Sequence, residues 1–319
     1  MQKAATFLYY YLRNRGLQKR GKRLGIHGLD ESLGLYGGHP ITGVGEFQEM
    51  IVEKIRSGQP FFAGRFGFSE LFVMRSFEFS IQSHCQKSME QFCTWSGFFP
   101  NEREAGKSFL EIMKQSANEA DFLGCSAEPF EEYFIRRYMK DSLQVARLDY
   151  LEPWTSDRAP WTAALEGKKV LVIHPFEDSI LKQYQKRELL FPGTDILPEF
   201  ELRTLKAVQT IAGQTDERFS TWFDALRYMF ERAMEIPFDI AIIGCGAYGF
   251  PLAAKIKEAG RQAFHLGGAT QILFGIKGSR WTELEDFAYV RKYFNEHWEF
   301  PLESERPREA GKVEGACYW

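Results

Sequence analysis

Two short runs constrain this chain more than any other feature: Lys169 to Ile173 (KVLVI) and Asp239 to Ile243 (DIAII). Both are apolar without alternation, and both end at turn formers, His174 and Pro175 in one case and Gly244 and Cys245 in the other. A strand with one wetted face alternates polar and apolar side chains. A short strand that is apolar at successive positions is buried on both faces, as in a parallel sheet covered by helices on either side. Further strands are predicted at Pro60 to Gly64, Asp121 to Gly124, Val145 to Leu148, Glu201 to Val208 and Gln262 to Leu266.

Helical periodicity lies between them. Residues 45–57 place Phe47, Met50, Ile51 and Ile55 on one side, with Gly58 as the stop. Ser69 to Phe79, Asp178 to Leu190, Phe219 to Met234 and Pro251 to Ala259 read as helices. Asn101 and Glu104 have the spacing of a capping box for another, and Pro129 suits the first turn of one more. The alternation predicts an α/β fold, Rossmann-like, with a mostly parallel sheet and helices on both faces. Residues 1–44 are expected to form a basic helix and lead-in, 45–285 the α/β domain, and 286–319 a C-terminal helix and tail. The segment Glu152 to Pro160 reads as a loop that can divide two halves, and Ala316 to Trp319 can dock back on the domain.

A formal charge of −3 argues against a nucleic-acid partner, which ordinarily needs a strongly basic face. Five cysteines without a CxxC or a zinc spacing suggest free thiols in a reducing compartment. No apolar run is long enough to span a bilayer, and the apolar stretch Ala4 to Leu12 precedes its positive charges, the reverse of secretory order. The expected location is therefore cytoplasmic. Residues 3–23 hold seven Lys or Arg and no acid, together with Phe7, Leu8, Tyr9, Tyr10, Tyr11 and Leu12. Such a helix can contact anionic headgroups at the inner face of a membrane, or pack as an edge helix with a solvated basic end.

Ligands of open α/β sheets sit beyond the carboxyl ends of strands, and three such ends carry chemistry. Gly244 to Gly249 (GCGAYG) satisfies GxGxxG between a strand and a helix, so its backbone can cradle a phosphate. The strand that follows ends at His265, Leu266 and Gly267, without the acid that a dinucleotide ribose calls for. His174 to Ser179 (HPFEDS) offers a histidine and two carboxylates, Glu177 and Asp178, although Asp178 or Ser179 can equally cap the next helix. Gly64 to Glu70 (GRFGFSE) offers Arg65 for a phosphate and Glu70 at a helix start, or the two as an ion pair.

In that order these segments resemble the bacterial glycosyltransferases of the GT-D fold, formerly a domain of unknown function. That family carries an Arg-aromatic-Gly-Asp-Gly-Glu segment, matched here by Arg65, Phe66, Gly67 and Glu70. The segments KKVLVIHPF, GCGAYGFPLA and HLGGATQILFGIKGSRW, and the GACYW ending, add to the likeness, which spans about residues 45 to 282. The resemblance implies transfer of a sugar from a nucleotide donor, typically a UDP-sugar, to a glycan or glycoprotein acceptor, as in polysaccharide biosynthesis, assisted by a divalent metal such as Mn²⁺ or Mg²⁺. Phe68 stands where the family has the Asp of its Asp-x-Glu pair, leaving Glu70 as the matched metal ligand. Either Glu177 or Asp178 replaces it, or this branch works without metal, or activity is lost. On this reading Glu70, Glu177 and Asp178 are the catalytic candidates. Arg65, Gly67, His174, Gly244, Gly246, Tyr248, Gly249 and His265 are the donor-binding candidates, and Lys277 and Arg280 can add positive charge. The alternatives are an NAD(P)-dependent oxidoreductase, which explains GxGxxG but not Arg65 or Glu70, and a non-catalytic nucleotide-binding protein.

Overall fold

The computed structural model describes residues 2–156, 158–214, 216–312 and 316–319. The chain opens with helix α1 (Gln2–Leu24) and a small antiparallel hairpin, β1 (Leu35–Tyr36) with β2 (His39–Pro40). Helix α2 (Val44–Ser57) buries Phe47, Ile51 and Ile55 and stops at Gly58, whose left-handed φ of 68° closes the last turn. There follow β3 (Phe61–Gly64), α3 (Phe68–Glu78), α4 (Gln82–Ser96), α5 (Arg103–Glu119), β4 (Phe122–Cys125), α6 (Glu131–Tyr138) and β5 (Gln144–Arg147). After several 3-10 turns come β6 (Lys169–His174), α7 (Glu177–Tyr184), α8 (Arg187–Leu190), β7 (Glu201–Lys206), α9 (Trp222–Glu235), β8 (Ile240–Ile243), α10 (Gly249–Glu258), β9 (Gln262–His265), α11 (Ala269–Leu273) and α12 (Ser279–Glu283).

β3 to β9 form one seven-stranded sheet in the order β5-β4-β3-β9-β8-β6-β7, parallel at every pairing. Its strands divide their side chains between two cores. Phe62, Leu171, Ile173, Ala241 and Ile243 face the helices α3, α5, α9 and α10. Phe61, Ala63, Val170, Val172, Ile240 and Ile242 face α2, α11 and the 3-10 segment carrying Trp161, whose ring stacks on Phe264 at 4.1 Å. Each fully buried aliphatic or aromatic side chain contributes roughly 1.5–3 kcal/mol relative to exposure, so two-sided burial is what these apolar runs secure. The fold is the expected α/β, Rossmann-like architecture with helices on both faces.

Three local expectations are corrected. No capping box forms at Asn101 and Glu104: α5 starts after Glu102, which makes no side-chain cap. The box appears instead on α9, where Thr221 and Asp224 exchange bonds reciprocally. The helix expected over Asp178 to Leu190 breaks at Lys186 (φ −118°, ψ 29°), and Lys182 and Lys186 both reach Glu299 across the break. Residues expected as a C-terminal helix form a 3-10 segment, Glu285–Tyr293, whose Val290 is buried in the second core beside Trp298. All five cysteines are free thiols. Among the described residues no helix is long and apolar enough to cross a membrane.

Candidate functional site

Because the sheet is parallel throughout, the carboxyl ends of all its strands share one edge. The segments leaving β3, β9, β8, β6 and β7 open on a single cleft at that edge, so the turns at 64–70 and 244–249 and His174 of the third motif meet there.

From β3 come Arg65, Gly67, Phe68, Ser69 and Glu70. Glu70 sits on the first turn of α3 and its carboxylate folds back over Gly67, where a Cβ would displace it from this position. Ser69 Oγ donates to Glu70 Oε2 at 2.8 Å and lies 2.8 Å from Ser96 Oγ. Arg65 does not pair with Glu70. Its Nε donates to its neighbour's carbonyl, Phe66 O, at 3.2 Å, and among the described residues its guanidinium has no ion-pair partner. A carboxylate and a guanidinium thus border one cleft without neutralising each other.

From β8 comes the Gly244–Gly249 turn. A Cβ at Gly244 would lie 2.6 Å from His174 Cδ2 and 2.7 Å from Thr270 Oγ1, so three strand ends meet only because this residue has no side chain. Gly246 takes φ of 58°, in the left-handed region that glycine tolerates. The chain passes through a 3-10 turn, Gly246–Tyr248, into α10. Gly249 N already donates to Gly246 O and Pro251 has no N–H, so an anion would meet the amides ahead of Gly249 rather than those of α10. Tyr248 borders the cleft as a fixed wall: its ring stacks on Trp222 at 4.7 Å, and its hydroxyl lies 3.2 Å from Thr210 Oγ1.

His174 and His265 close β6 and β9 and both line the cleft. Burial drives the His174 pKa down to about 3, and its Nδ1 accepts the Phe176 amide at 3.0 Å. Burial, and then the nearby Arg65 charge, take His265 down to about 3 as well. Both are therefore neutral at physiological pH and act by hydrogen bonding and shape, not by charge. His265 packs so closely on Gly249 that a Cβ there would overlap Nδ1.

Glu177 and Asp178 are not brought to the cleft. They occupy the first turn of α7, and Asp178 is exposed. Neither Asp178 nor Ser179 caps that helix. Buried Glu305 does, accepting the Asp178 amide at 2.8 Å and the Ser179 amide and hydroxyl. Among the described residues Glu70 is the one carboxylate side chain in the cleft lining, and Phe68, 48% exposed, stands at the position where a second was expected. No three His, Cys, Asp or Glu side chains cluster for a metal among the described residues. The residues present do not fit a divalent ion held by side chains alone.

Other lining residues come from farther along the chain, among them Arg280, the expected added charge, and Tyr318 and Trp319 of the segment expected to dock back. Trp95 and Ser96 arrive from the end of α4, Thr210 and Ile211 from the segment after β7, and Arg280, Tyr318 and Trp319 from the chain's far end. Trp319 Nε1 and His265 Nδ1 are buried without a hydrogen-bond partner among the described residues. Orphaned polar atoms in the wall of a cleft are what a bound polar ligand would satisfy.

Fold and site together define an α/β protein with a cleft at the carboxyl edge of a parallel sheet. No family model and no curated protein matches the chain. Among solved structures it is similar to a chain described as "the highly conserved domain of unknown function 1792", with "a distinct glycosyltransferase fold": identity 11%, TM-score 0.42, covering 81% of this chain and 91% of that one. A selenomethionine-substituted structure of the same domain is similar at 12% identity and TM-score 0.42, covering 82% and 96%.

Proposed function

We propose that this protein is a glycosyltransferase that moves a sugar from a nucleotide-sugar donor, a UDP-sugar being the first to test, to a glycan or glycoprotein acceptor. The observation that carries the reading is the composition of the cleft: one carboxylate, Glu70, and one guanidinium without an ion pair, Arg65, on a rim of glycine turns and aromatic side chains. Sugar transfer makes two demands. The acceptor hydroxyl must lose its proton as the new glycosidic bond forms, and Glu70 is the base within the cleft. The nucleoside diphosphate must leave with its charge stabilised, and Arg65 and the backbone amides of the turn that follows β8, ahead of Gly249, supply that. Trp95, Tyr318 and Trp319 offer faces on which a nucleobase or a sugar ring can stack. His174 and His265, being neutral, suit hydroxyl groups rather than phosphate. A divalent ion would draw most of its ligands from the diphosphate and solvent.

The experiment is a donor panel assayed for nucleotide release, with and without Mn²⁺, alongside thermal shifts with UDP, UDP-sugars and NAD. A nucleotide that binds only the folded state raises the melting temperature. Glu70→Gln should cut transfer by about a hundredfold or more, the usual contribution of a positioned base, while its melting temperature stays at the wild-type value. Wild-type turnover in Glu70→Gln, or a shift with NAD and none with any nucleotide sugar, would end this assignment.

A further inference from the structure

Helix α1 commits one side to the fold and leaves the other bare. Phe7, Tyr10 and Leu17 pack on the first core, with the Phe7 ring against Phe79 and Phe130. Two of its cations are consumed inward, Arg13 on Glu132 and Arg20 on Asp30. The outward side carries Leu8 (55% exposed), Tyr9, Tyr11 and Leu12 (58% exposed), and then Arg15, Lys19, Lys22 and Arg23. Positions 8, 12, 15, 19 and 22 are three or four apart and so lie along one line of a helix. Of twelve large apolar side chains exposed on the described residues, five belong to this helix, Leu24 being the fifth. Lys19, Lys22 and Arg23 have no ion-pair partner among the described residues, and the helix contains no acid.

Polarity therefore changes along the outward face, from an apolar and aromatic stretch to a cationic one. A second copy of the same helix would have to set cations beside cations or beside leucines. A lipid surface with anionic headgroups answers both stretches at once: its acyl boundary takes Leu8, Tyr9, Tyr11 and Leu12, and its phosphates take the Lys and Arg groups. We infer that α1 docks this protein on an anionic membrane surface. The same helix lies beside the loop that follows β4, where Asn14 Nδ2 donates to Ala127 O at 3.2 Å, on the sheet edge that carries the cleft. Docking then brings that edge close to the bilayer, where a lipid-carried acceptor would be met. This last step rests on the transferase reading, whereas the docking itself does not.

The test is co-sedimentation of the whole protein with vesicles of phosphatidylcholine plus phosphatidylglycerol, against vesicles of phosphatidylcholine alone. No donor or turnover is involved, so the result is independent of the catalytic assignment. The wild type is expected to sediment with the anionic vesicles and to be released by salt. The variant K19E/K22E/R23E should bind about a hundredfold more weakly or worse, given the contribution of each basic residue near an anionic surface. L8S/L12S should also lose binding, and both variants, altered only at exposed positions, should keep the wild-type melting temperature. The inference is overturned if the wild type stays in the supernatant with anionic vesicles, if it sediments equally with neutral ones, or if K19E/K22E/R23E binds as the wild type does. Self-association abolished by L8S/L12S, with no vesicle binding, would give the face to a second copy and overturn it equally.

Discussion

His174 and His265 show how a single residue can be set by burial alone. Each is protonated near pH 6.5 when free and only near pH 3 in the fold. Between those values the unfolded chain binds more protons than the native one, so acid favours unfolding. The stability tied to these groups is complete above pH 6.5 and is lost as pH falls toward 3. Buried Glu131 and Glu152 act in the opposite sense. Burial raises both from 4.5 to about 7, so their contribution is greatest below 4.5 and declines as pH rises through that window. Comparing a variant with the wild type isolates the histidine effect. His174→Gln can still accept the Phe176 amide but cannot take up a proton, so its melting temperature should fall less than that of the wild type between about pH 6 and pH 4. The difference in slope should approach about 1.4 kcal/mol per pH unit. A variant with the wild-type pH slope would show that His174 is not held neutral.

At the scale of elements, Glu305 matters more than its place in a charged tail suggests. Residues 303–312 read as a surface tail by composition, yet Glu305 is buried and holds the first amides of α7, while Leu302 N donates to Ser179 Oγ at 2.9 Å. Glu305→Ala removes a carboxylate that serves as a cap from outside the helix. The expected cost is about 1–3 kcal/mol in urea unfolding, the range for leaving buried donors unsatisfied. A loss within a few tenths would mean that solvent already satisfies those amides. The same contact marks where sequence reading stops. The strands KVLVI and DIAII, the glycine stop of α2 and the turns carrying Arg65, Glu70 and Gly244 to Gly249 are set by neighbours in the chain, and they were legible. The cap of α7 comes from a residue 127 positions away and leaves no local trace, so the sequence offers only Asp178 or Ser179 as candidates. The capping box fails at Asn101 for a related reason: matching residue types do not fix where the first helical turn begins.

For the molecule as a whole, the cleft is assembled from segments spread between Arg65 and Trp319. The glycine and charged residues of its floor follow strands and could be read from sequence. Of its aromatic wall the sequence suggests only that Ala316 to Trp319 docks back; that Trp95, Tyr318 and Trp319 line one cleft depends on the closed sheet. Trp319 also packs edge-on against Phe176, with ring centroids 5.9 Å apart, which ties the far segment to the β6 turn. If this wall takes a nucleobase, Trp319→Ala should weaken UDP binding by about 1–3 kcal/mol in calorimetry, the usual loss when a stacking aromatic is removed. Unchanged affinity would move the nucleobase elsewhere in the cleft.

The strand order has a consequence for how the protein is made. β9, the last strand in sequence, lies in the middle of the sheet, between β3 and β8. Until residues 262–265 are available, the strands on either side, β5-β4-β3 and β8-β6-β7, lack the partner that joins them in the native sheet. The two halves are zipped together by a strand that arrives late, through pairings that reach back about 200 residues to β3. Non-local pairing of that kind favours slow acquisition of the native state.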